Sequence, residues 1–272
     1  MCQSTIMNSL VRQFFTPNKE NQFKEVVYLS EDLEASWEKI SKRAFDLPRA
    51  WFELSRVSAQ DRVEFTRDYW LDRIPYHPSA HPAFFEFFEQ LDDVGVVLVR
   101  RREDEPLDAE LVYSLADQSS FFRGKPPCTE GDLHELQKEV PISFPRDYLG
   151  FLRIHNGFGK LSEMGVLEAG EVSDVRRRVI ELLVQSEKRV KSGRTEIDAG
   201  ALIPFYESLG LASFQCFYSD WYPGNEMGNV YLSGIDYTLS DLSDRKGWVE
   251  NLAFPTFSEW LAYYLQGMDL CI

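Results

Sequence analysis

The segment at residues 142–159, ISFPRDYLGFLRIHNGFG, constrains the fold more than any other part of the chain. Pro145 fixes φ where a helix can begin, and Asp147 places negative charge in the first turn, where the helix dipole favours it. Apolar side chains then recur at roughly helical spacing. Asn156 and Gly157 tolerate a left-handed backbone, so they predict the end of that helix. The segment predicts a short helix closed by a rigid turn.

Two later segments add to this pattern. Ile203-Pro204-Phe205 is an apolar-Pro-aromatic sequence, typical of the start of a strand, and Phe257 to Leu261 is an F-x-x-W-L run, typical of a helix. With the central segment and a preceding helix at 133–140, they resemble the SUKH superfamily of Smi/Knr-like proteins over residues 127–272. The residues that match the family's pattern are Pro145, Tyr148, Phe151, Leu152, Asn156, Gly157, Ile203, Pro204, Phe205, Phe257, Trp260 and Leu261.

This resemblance implies an α+β fold with a curved, mostly antiparallel sheet packed against helices. The matching residues are expected to build that fold rather than to perform chemistry. The resemblance also implies a protein-binding role, because many bacterial SUKH proteins neutralise a partner toxin, often a nuclease. Fungal relatives act in cell-wall regulation and signalling, which gives a second expectation.

The excess of acidic over basic residues indicates which class of partner the protein can bind. The chain carries 44 acidic and 29 basic residues, for a formal net charge of −15. Such a balance argues against binding nucleic acid or a membrane surface, and it suits a basic protein partner. No run approaches the roughly 18 apolar residues of a membrane span.

The cysteines indicate neither a metal site nor a disulfide framework. Cys2, Cys128, Cys216 and Cys271 are far apart and form no C-x-x-C pair. Scattered thiols are typical of a reducing compartment, and the N-terminus lacks a basic region followed by a long apolar run. The expectation is a cytoplasmic protein.

Residues 1–126 are predicted to form a mainly helical N-terminal region, followed by the SUKH-like domain at 127–272. Ser30 and Ser58 are candidate N-caps of two helices, and a third helix is predicted around Phe84. The second of these helices has Val63, Phe65, Tyr69 and Trp70 on its predicted apolar face. Strands at 95–99 and 110–115 predict a hairpin that either belongs to this region or extends the sheet of the second half.

In the second half, Ser173 is a candidate cap for a long helix reaching about residue 191, and Trp260 lies on a closing helix. Strands are predicted at 161–168, 202–205, 214–218, 230–232 and 237–239.

Several residues invite a catalytic or metal-binding interpretation without a supporting motif. His155 has no nucleophile signature, and His77 and His81 stand beside prolines that oppose a helical metal pair. The Gly157-Phe-Gly159 sequence lacks the remainder of a phosphate loop. The aspartates Asp236, Asp241 and Asp244 do not follow the spacing of a calcium loop. The prediction is a protein with no catalytic residue, metal or cofactor.

The C-terminal part offers a candidate binding site. From residue 195 onwards there are eleven acidic and two basic residues, together with fifteen aromatics. The loop SDWYPGNE places Asp220 and Glu226 beside Trp221 and Tyr222. Aromatic side chains supply contact area and carboxylates attract a cationic partner, although the same residues would also suit a core and a solvated surface.

Two functions follow from these observations. The first is a non-catalytic immunity-type protein that blocks a basic, nuclease-like toxin domain. The second is a regulatory or scaffold protein for a cellular partner, favoured by the long N-terminal region. A toxin encoded beside this chain would distinguish the first from the second.

Overall fold

The computed structural model describes residues 7–17, 23–32, 34–185, 190–193, 195–208 and 212–266. The helices are α1 Ser9–Phe14, α2 Trp37–Ile40, α3 Arg49–Leu54, α4 Ala59–Arg73, α5 Ala80–Glu89, α6 Glu130–Glu139, α7 Arg146–Leu152, α8 Val172–Gln185 and α9 Phe257–Leu265. The strands are β1 Glu25–Tyr28, β2 Leu91–Arg100, β3 Asp108–Leu115, β4 Phe121–Gly124, β5 Phe158–Lys160, β6 Gly165–Val166, β7 Lys191–Ser192, β8 Thr195–Glu196, β9 Leu202–Glu207, β10 Ser213–Tyr218, β11 Asn229–Ser233 and β12 Thr238–Leu239. Within these ranges, no helix combines the length and apolarity needed to cross a membrane.

The chain forms two compact units that share its length unevenly. The first unit comprises the described parts of Met1–Asp72, Phe85–Pro126 and Phe158–Leu161. The second comprises those of Arg73–Phe84, Pro127–Gly157 and Ser162–Ile272. The predicted boundary at residues 126 and 127 stays a prediction.

The first unit is built on antiparallel strands in the order β1-β2-β3-β4-β5. One core cluster joins α1 to this sheet through apolar side chains. Its buried members are Met7, Val11, Phe15, Phe23, Val97, Val99, Val112 and Phe121. A second cluster is aromatic and centres on Trp70 of α4, whose ring lies 5.7 Å from Tyr113 of β3 and 5.4 Å from Phe88 of α5. The Trp70 indole N–H donates to the Tyr113 hydroxyl over 3.0 Å, which satisfies a buried donor.

The second unit has strands in the order β6-β9-β10-β11-β12-β7-β8. The β12–β7 pair is parallel, whereas the other pairs described for this unit are antiparallel. Helices α7 and α9 pack through Tyr148 and Phe257, whose ring centroids lie 5.2 Å apart. The predicted α+β class, with a mostly antiparallel sheet and helices in the N-terminal region, is confirmed.

Some local predictions differ from the structure in the N-terminal region. Ser30 lies in a turn after β1, and the following helix begins after Ser36 instead, so that N-cap prediction was wrong. Ser58 does cap α4, because its hydroxyl accepts from the Asp61 amide over 3.2 Å. The hairpin is confirmed as β2 and β3. Leu33, three residues after Ser30, is outside the described residues.

In the second half, the strands predicted from residue 202 onwards correspond to β9, β10, β11 and β12. Of the strand predicted at 161–168, only the short β6 at Gly165–Val166 is present, since β5 ends at Lys160 and Leu161 adopts a positive φ of 51°. Helix α8 begins at Val172 and ends at Gln185, so it is shorter than predicted. Short strands such as β1, β4, β7 and β8 carry too few residues to show an alternating pattern.

Candidate functional site

Helix α7 is fixed to the start of α9 by a buried carboxylate. Pro145 precedes α7 with φ −57°, and Asp147 in the first turn accepts from both the amide and the hydroxyl of Ser258, over 2.8 and 2.9 Å. Burial raises the pKa of Asp147, although these hydrogen bonds oppose the rise. The Asp147 carboxylate therefore links α7 to α9, and it also lies in the first turn of α7, where the helix dipole favours a negative charge.

The aromatic residues of the family pattern form the core of the second unit. Tyr148, Phe151 and Trp260 are fully buried. The Phe205 ring lies 4.8 Å from Trp260 and 5.9 Å from Tyr148. None of these rings is available to a partner, so they position the surface rather than form it.

The remaining pattern residues shape the backbone. The Asn156 side-chain oxygen accepts from the Ala169 amide over 2.7 Å, and Gly157 has a φ of 105° that favours glycine. Helix α7 already ends at Leu152, so the Asn-Gly pair forms the turn into β5 rather than the helix stop that was predicted. Pro204 lies opposite Cys216 at a register shift of β9 and β10, where a missing amide donor is tolerated.

The loop between β10 and β11, residues 219–228, is held by its tryptophan. The Trp221 amide donates to the Tyr218 carbonyl over 2.9 Å, and the Trp221 carbonyl accepts from Gly228 over 3.0 Å. The Trp221 ring packs edge-on against Trp248 at 5.0 Å. A Cβ at Gly228 would lie 2.4 Å from the Trp221 ring, so the loop requires glycine there. Trp221 is an anchor of the loop.

The four predicted binding residues separate into two groups. Asp220 is exposed and Tyr222 is 55% exposed, so both reach solvent next to the anchored Trp221. The Glu226 carboxylate instead accepts from the Arg146 side chain over 2.7 Å and from the Arg146 amide over 2.8 Å. Asp220 and Tyr222 are thus both exposed in the same loop, whereas Glu226 is engaged at the start of α7.

A cleft opens beside this loop with a volume of about 630 Å³. We call it the hairpin cleft, because the β7–β8 hairpin forms one wall. Its lining residues are Ser192, Gly193, Thr195, Ile197, Tyr218, Asp241, Leu242 and Ser243. Loop and cleft are continuous, since Tyr218 lines the cleft and the Trp248 indole that packs on Trp221 donates to the Leu242 carbonyl over 3.3 Å.

Among the described residues that line the hairpin cleft, the charged side chain is the carboxylate of Asp241. Burial raises the pKa of Tyr218, and the neighbouring carboxylates Asp220 and Asp198 raise it further. The amide and hydroxyl of Ser243 lower the pKa of Asp241, which therefore stays ionised at neutral pH. Each described residue that lines the cleft is neutral or acidic. The cleft therefore favours a cationic group.

His155, His81 and the two described cysteines, Cys128 and Cys216, are buried. His155 is fully buried, and its ring lies 6.2 Å from Phe151. The Nδ1 of His81 accepts from the His77 amide over 3.1 Å, an arrangement that orders the start of α5. Burial raises the pKa of Cys128 to about 12, and burial also raises that of Cys216, so neither thiol favours the thiolate. Cys2 and Cys271 are outside the described residues.

The three aspartates considered for calcium are turn residues. The Asp241 carboxylate accepts from the Ser243 amide, and the Asp244 carboxylate accepts from the Lys246 amide. The Asp236 amide donates to the Ser233 hydroxyl. In the parts of the chain that the structure describes, no cluster of three or more His, Cys, Asp or Glu side chains could hold a metal ion.

The sequence analysis missed the hairpin cleft itself. The hydroxyl of Ser192 donates to the Ser240 carbonyl over 2.7 Å and accepts from the Leu242 amide over 3.1 Å, which joins two segments about 50 residues apart. Gly193, with a φ of 56°, is the one local signal, because it predicts a tight turn. Nothing in the local sequence indicates which distant loop meets that turn.

No curated protein matches the chain. The model of the SMI1/KNR4 family (SUKH-1) matches residues 127–263, which is half of the chain and includes helices α6 to α8, most of α9 and the loop at 219–228. The chain belongs to the SMI1/KNR4 (SUKH-1) family.

Proposed function

We propose that this chain is a non-catalytic protein-binding module of the immunity type, which neutralises a basic, nuclease-like toxin domain. Proteins that bind phosphate backbones need basic clefts, and an acidic surface with aromatic side chains is complementary to such a cleft. The observation that carries the proposal is the exposure of Asp220 and Tyr222 beside the acidic hairpin cleft.

The binding mode follows from this arrangement. A lysine or arginine of the partner enters the hairpin cleft, where the Asp241 carboxylate neutralises its charge. The Tyr222 ring covers the partner outside the cleft, and Asp220 steers the approach. The rigid Trp221 anchor lowers the entropic cost of binding because the loop is ordered beforehand.

The proposal includes no catalysis, cofactor or metal. Its support is the burial of His155 and the raised pKa values of Cys128 and Cys216. A catalytic base must reach its substrate and a reactive cysteine needs thiolate character. Purified protein is expected to hydrolyse neither RNA nor DNA.

The test is affinity capture by the tagged chain from its source lysate, at low and high salt, with identification of the retained proteins. A basic protein is expected at low salt and should be reduced at high salt. That protein, expressed alone, should arrest growth, and coexpression of this chain should restore it.

The variant D220K/Y222A is expected to lose both capture and growth protection. Asp236→Lys changes an exposed aspartate elsewhere in the second unit by the same charge, and it should preserve both. Equal effects of the two variants would contradict the site. A captured basic protein that is harmless when expressed alone would contradict the toxin.

A regulatory or scaffold function is the second candidate. The first unit has its own buried clusters and lies largely outside the family match, so a minimal immunity protein would not need it. A partner with a cellular role, retained at high salt, would favour this function.

A further inference from the structure

In helix α4 of the first unit, polar side chains lie on the buried face and aromatic side chains lie on the exposed face. Its buried face presents Arg62, Thr66 and Trp70 at intervals of four residues. The Arg62 guanidinium is paired with Asp93 through two bonds of 2.8 Å, and the Thr66 hydroxyl donates to the Arg62 carbonyl over 2.7 Å. Charge and hydroxyl thus occupy two of the positions that an amphipathic helix usually fills with apolar side chains.

The aromatic side chains of the same helix face solvent. Phe65 is 57% exposed and Tyr69, one turn later, is 38% exposed. Single exposed apolar residues are ordinary, but two large rings at an i, i+4 spacing form one contiguous patch. The inward side of α4 is already filled, so these rings are not part of the core.

Exposed carboxylates border the aromatic pair along the helix. Asp61, Asp68 and Asp72 are all exposed, and with Phe65 and Tyr69 they stand at positions i, i+4, i+7, i+8 and i+11. Asp68 also pairs with the adjacent Arg67 at 2.9 Å, and Asp61 accepts from the Ser58 hydroxyl over 2.6 Å, so a cationic partner would share these two carboxylates with neighbouring side chains. This spacing keeps all five side chains within one strip about 17 Å long. We call these five residues the α4 strip.

The spacing of the α4 strip is that of a helix–helix contact. Apolar residues at i and i+4, with charged residues alongside them, are typical of a seam in which the bordering charges pair across the interface. A second copy of this chain would place carboxylates opposite carboxylates, which opposes self-association. Charge complementarity instead favours a cationic occupant.

We propose that the α4 strip is a docking surface for an amphipathic basic helix of another protein. Apolar side chains of that helix cover Phe65 and Tyr69, while its lysines or arginines lie opposite Asp61, Asp68 and Asp72. The surface belongs to the first unit and is separate from the proposed binding site of the second unit. Success or failure here is therefore independent of the hairpin cleft.

The test uses the full chain and a synthetic helical peptide of about 15 residues, which spans the strip at 1.5 Å per residue. Leucines at i+4 and i+8 and lysines at i, i+7 and i+11 complement the strip. Titration of the labelled peptide, followed by fluorescence anisotropy, should give saturable binding. A peptide of the same composition in scrambled order should bind roughly tenfold or more weakly, because only the ordered peptide aligns both kinds of contact.

Matched variants localise the binding. Phe65→Ser with Tyr69→Ser should weaken the ordered peptide roughly tenfold, whereas Phe45→Ser, at another exposed aromatic of the first unit, should not. Asp220→Lys in the second unit should also leave peptide binding unchanged. Circular dichroism of each variant checks that the fold is retained.

Three outcomes would overturn the proposal. Equal affinity for the ordered and scrambled peptides would mean that only net charge is recognised. Equal losses for the Phe65/Tyr69 and Phe45 variants would place binding elsewhere. Self-association of the wild-type chain in sedimentation, abolished by the Phe65/Tyr69 change, would assign the strip to a second copy.

Discussion

Arg62 and Asp93 form a fully enclosed ion pair in the first unit, with side-chain exposures of 4% and 1%. The third guanidinium nitrogen donates to the Val57 carbonyl over 2.6 Å, so the arginine is extensively hydrogen-bonded. The attraction within a buried ion pair offsets the cost of desolvating the two charges only when both partners are present.

Asp93→Ala is therefore expected to lower the free energy of unfolding by about 3–5 kcal/mol, because it leaves a buried guanidinium without its counter-ion. The double change Arg62→Met with Asp93→Leu should cost less than the single change, since no buried charge remains. Urea denaturation of the three proteins measures both effects. A double variant that loses as much free energy of unfolding as Asp93→Ala, or more, would show that the unpaired guanidinium is not the cause of the loss.

Tyr148 offers a second comparison at the residue scale. Its hydroxyl is buried and has no hydrogen-bond partner among the described residues, and burial raises its pKa well above the ordinary value. Tyr148→Phe should therefore leave the free energy of unfolding unchanged or raise it. Tyr148→Ala should lower it by about 3–5 kcal/mol through the loss of a core ring. Thermal melts of both variants test the two directions, and a destabilised Phe variant would reveal a bond to the hydroxyl.

Asp147 predicts a pH effect. Its folded pKa lies above the ordinary value of 3.8, so the folded state holds a proton more readily than the unfolded chain. Its contribution to stability is then largest below the ordinary pKa and falls as the pH rises through the raised pKa. The difference in free energy of unfolding between wild type and Asp147→Asn should decrease across that window. A difference independent of pH would mean that the pKa is not raised.

At the scale of elements, the conformation of the loop at 219–228 depends on the close contact between its backbone at Gly228 and the Trp221 ring. A methyl group at Gly228 would lie 2.4 and 2.5 Å from two carbons of the indole ring, whereas one at Gly224 would have nothing within 4 Å. The two glycines therefore provide a matched pair within a single loop.

Gly228→Ala is expected to displace Trp221 from Trp248 and to change the near-ultraviolet circular dichroism. Binding of a partner at the proposed site, Asp220 and Tyr222, should weaken roughly tenfold, because the anchor no longer orders the loop beforehand. Gly224→Ala should leave both the spectrum and the affinity unchanged. Similar spectra for the two variants would contradict the role of Trp221 as an anchor.

Helix α4 illustrates which property of an element the sequence predicts. The Ser58 cap and the helical spacing correctly predicted a helix, but Phe65 and Tyr69, placed on the inward face, are exposed. The inward position is taken by Arg62, because Asp93 on the neighbouring strand supplies its counter-charge. Helix formation is a local property, whereas the choice of buried face depends on the partners that the fold supplies.

At the scale of the whole molecule, the segments of the two units alternate along the sequence, and this predicts the thermal stability of a fragment. Residues Arg73–Phe84 belong to the second unit, where a Cβ at Gly150 of α7 would lie 2.5 Å from the Arg73 carbonyl oxygen. A fragment of residues 127–272 lacks this segment, so it should melt at a lower temperature than the second unit does in the full chain. A melting temperature equal to that of the full chain would support the predicted boundary at residues 126 and 127.

The sequence alone determined the family, the α+β class and the core of the second unit. Pro145, Tyr148, Asn156, Gly157 and Trp260 owe their roles to backbone conformation, helical spacing and apolar character, which act over a few residues. The comparisons confirm the family, and the structure places both aromatic residues in the core.

Only the tertiary structure decided which residues form surfaces. The hairpin cleft requires Gly193 and Asp241 to meet, Glu226 is engaged by Arg146, and the α4 strip exists because Arg62 is paired inside. Each of these facts depends on a contact between residues far apart in the chain. Exposure and electrostatic environment arise from such contacts, so composition and local spacing cannot supply them.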